Sequence, residues 1–165
     1  MSGPVRLASW NVNSIRTRVD RVVEWLDRND IDVLALQESK CRDRDFPYDV
    51  FDAAGYEVAH AGFNQWNGVA VVSRVGLDDV QIAFDSQPGF DRDAADAMIP
   101  MEVVEARAVA ATCAGVRVWS LYAPNGRSLD DPHFPYKLAW LDALRKDAQE
   151  WLTENPDARI ALAGD

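Results

Sequence analysis

Four polar side chains stand at the ends of predicted β-strands, where α/β proteins carry their ligand-binding and catalytic groups. Glu38 closely follows the apolar run 33–36, which is β-branched at its start and lacks polar alternation, as is typical of a strand buried on both faces. The other three, each at the end of its own predicted strand, are Asn11, Tyr122 and Asp165. If these strands are parallel neighbours, or face each other across a sandwich, the four side chains meet at one rim.

The types of these side chains suit metal-assisted attack of water on a phosphodiester. Glu38 and Asp165 offer carboxylate oxygens, and Mg²⁺ is commonly held by one or two carboxylates plus substrate phosphate. Asn11 can hydrogen-bond a phosphate or orient a water, and Tyr122 can donate to a phosphate oxygen. Taken singly, each has a structural alternative: a solvated strand end for the acids, a turn for Asn11 and a core-edge tyrosine for Tyr122.

The elements that must position this rim alternate between strands and helices. An amphipathic helix is predicted between Thr17, its expected cap, and Asn29, and a short one begins at Pro47. A long helix is predicted for 135–154, with an apolar face of Leu141, Leu144, Ala148, Trp151 and Leu152. The predicted strands are 5–10, 33–36, 56–61, 68–73, 103–113, 116–122 and 159–163. Alternation mixed with hairpins predicts an α/β layered sandwich with a mixed sheet.

Composition limits the class of protein. The 165 residues are 48% hydrophobic and include six tryptophans, enough to build the core of one domain. We expect no signal peptide and no membrane segment, because no apolar run reaches the ~18 residues of a membrane helix. Cys41 and Cys113 form neither a disulfide framework nor a CxxC motif, which favours a reduced, cytoplasmic protein.

The net charge of −10 by itself argues against a polyanionic partner such as nucleic acid. The charges are unevenly distributed along the chain, however, so such a partner is not excluded. Residues 1–44 carry 8 basic and 7 acidic side chains, whereas residues 45–165 carry 9 basic and 20 acidic ones. Eight of those acids fall in 75–105, which we interpret as a solvated loop. Any surface that faces nucleic acid must therefore be local.

Five blocks of sequence add a family resemblance. SWNVNSIR (9–16), DVLALQESK (32–40), FNQWNGVAVVSR (63–74), SLYAPNGRS (120–128) and ALAGD (161–165) occur in the order found in the exonuclease III family of apurinic/apyrimidinic endonucleases. The resemblance implies a four-layer α/β sandwich of the deoxyribonuclease/exonuclease III type. It also implies an enzyme dependent on Mg²⁺, with Mn²⁺ as the alternative. Such an enzyme cuts double-stranded DNA 5′ to abasic sites and acts at 3′ ends as an exonuclease and phosphatase, in base-excision repair.

The same resemblance implies roles for individual residues. Glu38 matches the metal-binding glutamate and Asn11 the asparagine beside it. Tyr122 matches the tyrosine that touches the scissile phosphate, and Asp165 the aspartate that positions or deprotonates the attacking water. For DNA contact, the matching positions are Arg107 and Asn125.

The sequence leaves more than one possible role for a tryptophan, Trp66, and for two histidines, His60 and His133. Trp66 lies in a glycine-flanked loop and either stacks on DNA or packs in the core. His60 and His133 match no catalytic histidine of the family, so we expect surface or structural roles.

The sequence also departs from the family pattern. Position 14 is serine where many relatives have glycine, and the motif that Asp165 begins is not continued. We therefore expect residues 1–165 to be the N-terminal part of a single catalytic domain, monomeric, with the first sheet and part of the second. Alone it should be poorly stable, because strands 69–72 and 160–163 would lack their full cover. It should also be inactive, because the resemblance implies an asparagine partner for Asp165 and a histidine for the phosphate that these residues do not include. The alternatives are a phosphodiesterase for a small phosphate ester and an inactive remnant.

Overall fold

Two four-stranded mixed β-sheets form the centre of the protein, for which the computed structural model describes residues 3–90 and 103–165. The first sheet has the order β1-β2-β4-β3, from β1 (Leu7–Asn11), β2 (Val33–Gln37), β3 (Glu57–Ala61) and β4 (Val69–Ser73). The second follows chain order, from β5 (Asp78–Gln81), β6 (Ala108–Cys113), β7 (Val116–Leu121) and β8 (Ile160–Gly164).

Helices cover the outer faces of the two sheets. Helices α1 (Val19–Arg28) and α2 (Tyr48–Ala53) pack on the first sheet through Val22, Leu26 and Phe51. Helix α3 (His133–Glu154) packs on the second sheet through Tyr136, Trp140 and Leu144. No helix within the described ranges is long and apolar enough to cross a bilayer.

A third apolar cluster fills the space between the sheets, so the molecule has four layers in the order α, β, β, α. Its members come from both sheets: Val33, Ala59, Ala61, Val69, Val71, Val109, Ala111, Cys113 and Val118. In β2, Leu34 and Leu36 face α1 while Val33 faces the second sheet, and every residue of the strand is buried. The predicted α/β sandwich, and a β2 buried on both faces, are confirmed.

Strand register brings the carboxyl ends of four strands together. β1 and β2 are parallel, with Asn11 opposite Gln37, and β7 and β8 are parallel, with Leu121 opposite Gly164. β2 packs across the sandwich on β7 and β1 on β8. Ser120 ties the sheets, because its hydroxyl donates to the Leu36 carbonyl (2.8 Å) and accepts from Gln37 Nε2 (3.0 Å).

Two predicted strand and loop boundaries are wrong. The strand predicted for 103–113 begins at Ala108, because the Arg107 N–H turns back to the Glu105 carbonyl (2.8 Å) before the ladder with β7 starts. The segment 75–105, expected as a loop, contains β5 and the buried Phe84. Residues 91–102 of that segment lie outside the described residues.

Two helix details also differ from expectation. Thr17 is not the cap of α1: Arg18 occupies that position, and no side chain caps the helix. In α3, which begins at His133, Leu141 and Leu152 are exposed rather than buried. The buried stripe is rotated onto His133, Tyr136, Trp140, Leu144 and Asp147. Asp147 belongs to that stripe because its carboxylate accepts from the Ser86 N–H (2.9 Å), so a hydrophobicity pattern misses it.

The sequence predicts that strands 69–72 and 160–163 both lack full cover. In the structure this holds for the second strand and not for the first. β4 is buried at every residue, because α1 and α2 cover one face of its sheet and β6 and β7 the other. β8 has no fully buried residue.

Candidate active site

The turn after β2 presents the Glu38 carboxylate. Glu38 and Lys40 both adopt left-handed backbone conformations, with φ of 55° and 52°. Backbone hydrogen bonds from Ser39 to the Gly68 carbonyl (3.1 Å) and from Lys40 to the Asn67 carbonyl (3.0 Å) hold the turn. Gly68 is required there, because its φ is 89° and a Cβ would collide with the Ser39 hydroxyl. The strain of two left-handed residues is typical of a functional turn.

Neighbouring donors hold the Glu38 carboxylate, whose side chain is 17% exposed. Tyr122 Oη donates to Oε1 (2.6 Å), and Lys40 Nζ lies 3.0 Å from Oε2. Burial alone would raise the pKa of Glu38, but hydrogen bonds from Tyr122, Asn11 and Lys40 outweigh it and hold the pKa below its usual value. Glu38 is therefore ionised at neutral pH.

Tyr122 is kept neutral as a hydrogen-bond donor. Burial, with the hydrogen bond to Glu38 added, raises the pKa of Tyr122 to about 12. Below its ring lies the guanidinium of Arg107, whose Cζ is 5.0 Å from the ring centroid. Arg107 also donates to the Tyr122 carbonyl (3.2 Å), so it supports the ring from beneath.

Asn11 and Asp165 form the second pair of the site. Asn11 Nδ2 donates to Asp165 Oδ2 (2.6 Å), and Asn11 Oδ1 accepts from the Asn13 N–H (3.1 Å). The Asp165 N–H donates to the Leu121 carbonyl (3.1 Å), which continues the β7–β8 pairing. The structure thus brings Asn11, Glu38, Tyr122 and Asp165 to one rim, as the strand ends predicted.

Two further residues, Lys40 and Asn13, lie beside the four rim residues. Lys40 Nζ donates to Asn13 Oδ1 (2.5 Å) as well as pairing with Glu38, so it links the two turns. Asn13 has a φ of 43°, which asparagine tolerates better than most residues. Their place in the SWNVNSIR and DVLALQESK blocks was the available signal.

The donor set fits a hard divalent cation that keeps most of its water. No cluster of three or more His, Cys, Asp or Glu side chains in the described ranges could hold a metal alone. Mg²⁺ does not need such a cluster, because one or two carboxylates, waters and substrate phosphate complete its shell. Glu38 is ionised, and Asp165 faces it across the Asn11 amide.

The three residues predicted to contact DNA have different surroundings. Trp66 is 53% exposed, so it is not a core residue. Asn125 is exposed, and its Oδ1 accepts from the Arg127 N–H (2.8 Å), which shapes the loop after Tyr122. The Arg107 side chain is only 7% exposed and pairs with Glu105 (3.0 Å), so in this structure its guanidinium faces Tyr122 rather than the surface.

Trp66 borders a basic pocket beside the Glu38 turn. The pocket has a volume of about 480 Å³, and its lining includes the cations Arg16, Lys40 and Arg42 and one carboxylate, Asp45. The pocket is therefore a local positive surface on a protein whose net charge is −10. Arg16 was not singled out in the sequence.

The two histidines contact neighbouring side chains, and neither is one of the four rim residues. His60 Nε2 lies 2.7 Å from the Ser39 hydroxyl, and its Nδ1 lies 2.8 Å from Asp43. Burial lowers the pKa of His60 to about 4, although Asp43 acts in the opposite direction. His133 hydrogen-bonds Asp131 and packs on Phe90.

Comparison with known proteins identifies the family. The model of the endonuclease/exonuclease/phosphatase family matches residues 8–165. The chain belongs to this family. A curated member, exodeoxyribonuclease III of Haemophilus influenzae, is 27% identical over 164 residues, which cover 98% of this chain and 57% of that protein.

Solved structures of family members show the same fold. The 3′ phosphatase NExo from Neisseria, bound to a product DNA hairpin, is 32% identical with a TM-score of 0.81, over 98% of this chain and 57% of that one. An AP endonuclease from Archaeoglobus fulgidus is 34% identical with a TM-score of 0.79, again over 98% and 57%. The fold is thus of the exonuclease III type, and the chain spans little more than half the length of these family members.

Proposed function

We propose that this chain provides the metal-binding and phosphate-binding half of a DNA phosphodiesterase. The observation that carries the proposal is the convergence of Asn11, Glu38, Tyr122 and Asp165 on one rim, in two hydrogen-bonded pairs of 2.6 Å each. An ionised carboxylate can hold a divalent cation, and a neutral phenol can donate to a phosphate oxygen. The family's exonuclease and endonuclease members support DNA as the substrate.

Glu38 is the proposed ligand of Mg²⁺, with Mn²⁺ as the alternative. When bound there, the ion supplies Lewis-acid polarisation of the phosphate. Tyr122 remains protonated up to high pH, so its hydroxyl is available to a phosphate oxygen once it leaves Glu38. Asp165, oriented by the Asn11 amide, is the proposed group that positions or deprotonates the attacking water.

The basic pocket beside Trp66 is the proposed path of the DNA backbone. Arg16, Lys40 and Arg42 can neutralise phosphates, and the exposed indole can stack on a base. Asn125, in the exposed loop that follows Tyr122, is the proposed contact on the other side of the rim. Arg107 is proposed to act through Tyr122 rather than on DNA, because its guanidinium is buried against that ring.

The proposed substrates are double-stranded DNA cleaved 5′ to abasic sites and DNA 3′ ends, as in base-excision repair. Related structures described as an AP endonuclease and as a 3′ phosphatase support both activities. We further propose that the protein is a cytoplasmic monomer and that 1–165 lies within one catalytic domain.

The test is a nicking assay on abasic and intact duplexes, with the protein expressed at the full length of its gene. We expect Mg²⁺-dependent nicking that chelation abolishes. Glu38→Gln should lower kcat by about 100- to 10,000-fold, because the carboxylate charge is lost while the shape is kept. Glu24→Gln, on the exposed side of α1, is the matched control and should retain the wild-type rate.

Two results would contradict the proposal. Hydrolysis of a small phosphodiester with no action on either duplex would favour the small-ester alternative. A Glu38→Gln variant with a near-normal rate at low Mg²⁺ would remove Glu38 from the metal site.

A further inference from the structure

Contacts around the Glu38 turn close into a ring that passes through Asn67. We infer that Asn67 is a positioning residue, which couples the loop bearing Trp66 to the Tyr122–Glu38 pair. The inference rests on the proposed phosphodiesterase function and adds to it a residue that touches neither the metal site nor the phosphate.

The first half of the ring joins the Trp66 loop to the Glu38 turn. The Asn67 carbonyl accepts from the Lys40 N–H (3.0 Å), and the neighbouring Gly68 carbonyl accepts from the Ser39 N–H (3.1 Å). Asn67 has a φ of 56°, a conformation in which asparagine is among the better tolerated residues. Because Trp66 directly precedes Asn67, a displacement of the Trp66 side chain also displaces the backbone that makes these two hydrogen bonds to the Glu38 turn.

The second half joins the same residue to Tyr122. Asn67 Nδ2 donates to Glu105 Oε2 (3.0 Å), and the other oxygen of Glu105 accepts from Arg107 Nε (3.0 Å). Arg107 lies under the Tyr122 ring and donates to its carbonyl. Tyr122 then closes the ring by donating to Glu38 (2.6 Å).

Burial makes the side-chain part of this ring stiff. The Glu105 and Arg107 side chains are 12% and 7% exposed. Burial alone would raise the pKa of Glu105, but Arg107, together with hydrogen bonds from Asn67 and Tyr136, outweighs it and holds the pKa low, so the carboxylate is charged. A charge-assisted hydrogen bond in a poorly hydrated site is stronger than a surface one.

This arrangement predicts that contact of DNA with the Trp66 loop aligns Tyr122 and Glu38. Asn67 reaches the Glu38 turn by its main chain and Tyr122 by its side chain. Loss of the amide should therefore leave substrate affinity nearly intact while the alignment of the reacting groups is impaired.

The experiment uses the full-length gene product. It exchanges the donor and the acceptor of the hydrogen bond between Asn67 and Glu105. Asn67→Gly removes the amide while accepting the positive φ, and Asn67→Asp places a carboxylate against Glu105. We expect both variants to lower kcat on abasic duplex by about 10- to 100-fold, with KM changed less than about threefold. The double variant Asn67→Asp/Glu105→Gln restores a hydrogen bond with its direction reversed and should recover most of kcat.

Asn29→Gly is the matched control, since this asparagine also loses one hydrogen bond but lies at the opposite end of β2. A readout without substrate is the ¹³Cζ NMR signal of Tyr122, assigned by its absence in Tyr122→Phe. It should shift in Asn67→Asp and return in the double variant, as the hydrogen bond to Glu38 weakens and reforms.

Wild-type kcat and an unmoved Tyr122 signal in both single variants would overturn the inference. So would a double variant that is no better than Asn67→Asp, because a purely structural role predicts no such rescue. Absence of activity in the wild-type protein would instead refute the proposed function, and the NMR signal would then decide the coupling alone.

Discussion

At the scale of single residues, the site depends on backbone conformations that most side chains avoid. Asn13, Ser14, Glu38 and Lys40 all have positive φ, and they are joined by hydrogen bonds such as Ser14 N–H to the Glu38 carbonyl (2.7 Å). Such conformations persist only where surrounding contacts determine them. The two turns therefore stabilise each other and hold the backbone that carries the Glu38 carboxylate.

Ser14 is the most strained of these residues, with a φ of 85° that favours glycine. We expect Ser14→Gly to stabilise the protein by about 0.5–1 kcal/mol, since relief of strain exceeds the added entropy of the unfolded chain. Thermal melting measures the change. Ser128→Gly, at a serine without positive φ, should lower the melting temperature, and an equal response of both sites would contradict the strain argument.

His60 predicts a pH dependence of stability. Its folded pKa of about 4 lies below the usual 6.5, so the unfolded chain binds more protons between these values. The folded state should therefore lose stability as pH falls from 6.5 to 4, by up to roughly 3 kcal/mol. Urea unfolding across this window measures the loss. His60→Gln should flatten the pH dependence there, and an unchanged slope would show that other groups cause it.

At the scale of elements, β8 is the strand that places Asp165, and its distance from β7 is set by a glycine. The Cα of Gly164 lies so close to β7 that a Cβ would collide with the Leu121 carbonyl. The same carbonyl accepts the Asp165 N–H, so packing and the site share one contact. This explains why glycine precedes the aspartate.

Gly164→Ala should push β8 away from β7 and displace Asp165. We expect a loss of about 1–3 kcal/mol of unfolding free energy, as for other overpacked sites, together with lower activity. Ala163→Gly in the same strand is the control, and it should cost no more than about 1 kcal/mol. Equal stability of Gly164→Ala and wild type would show that the strand can move at no cost.

At the scale of the whole molecule, the first sheet is more completely buried by neighbouring elements than the β8 edge of the second sheet. β4 is buried throughout, whereas Leu162 of β8 is 47% exposed and Leu152 at the end of α3 is 49% exposed. The chain spans 57% of the length of the exodeoxyribonuclease III that it resembles. The partly uncovered side of the molecule is therefore the one that carries Asp165.

Residues 1–165 expressed alone should be less stable than the full-length gene product and inactive on abasic duplex. A few hundred Å² of exposed apolar surface costs ~5–10 kcal/mol, comparable to the net stability of a domain. Thermal melting and dye binding to exposed apolar surface measure the difference. A sharp transition with measurable nicking would show that these residues suffice for folding and catalysis.

The sequence alone determined the strands that carry the site and the residues at their ends. An unbroken apolar run that stops at a polar residue identifies a buried strand and its end locally, as for β2 and Glu38. The same local logic located α1, and the ordered blocks indicated the family and the four-layer fold. The strand and helix predictions depend on neighbours within a few residues along the chain, whereas the family and the fold were inferred from the order of five blocks between residues 9 and 165.

Only the tertiary structure decided which of those residues contact one another. Tyr122 and Glu38 are 84 positions apart, and their hydrogen bond exists because two sheets pack face to face. Arg107 is buried because β6 begins after it and its guanidinium fits under Tyr122. The buried face of α3 includes Asp147, whose carboxylate accepts from the Ser86 N–H, 61 positions away in the chain. A sequence pattern cannot reveal a polar group whose partner comes from another layer, since burial there depends on the partner's position.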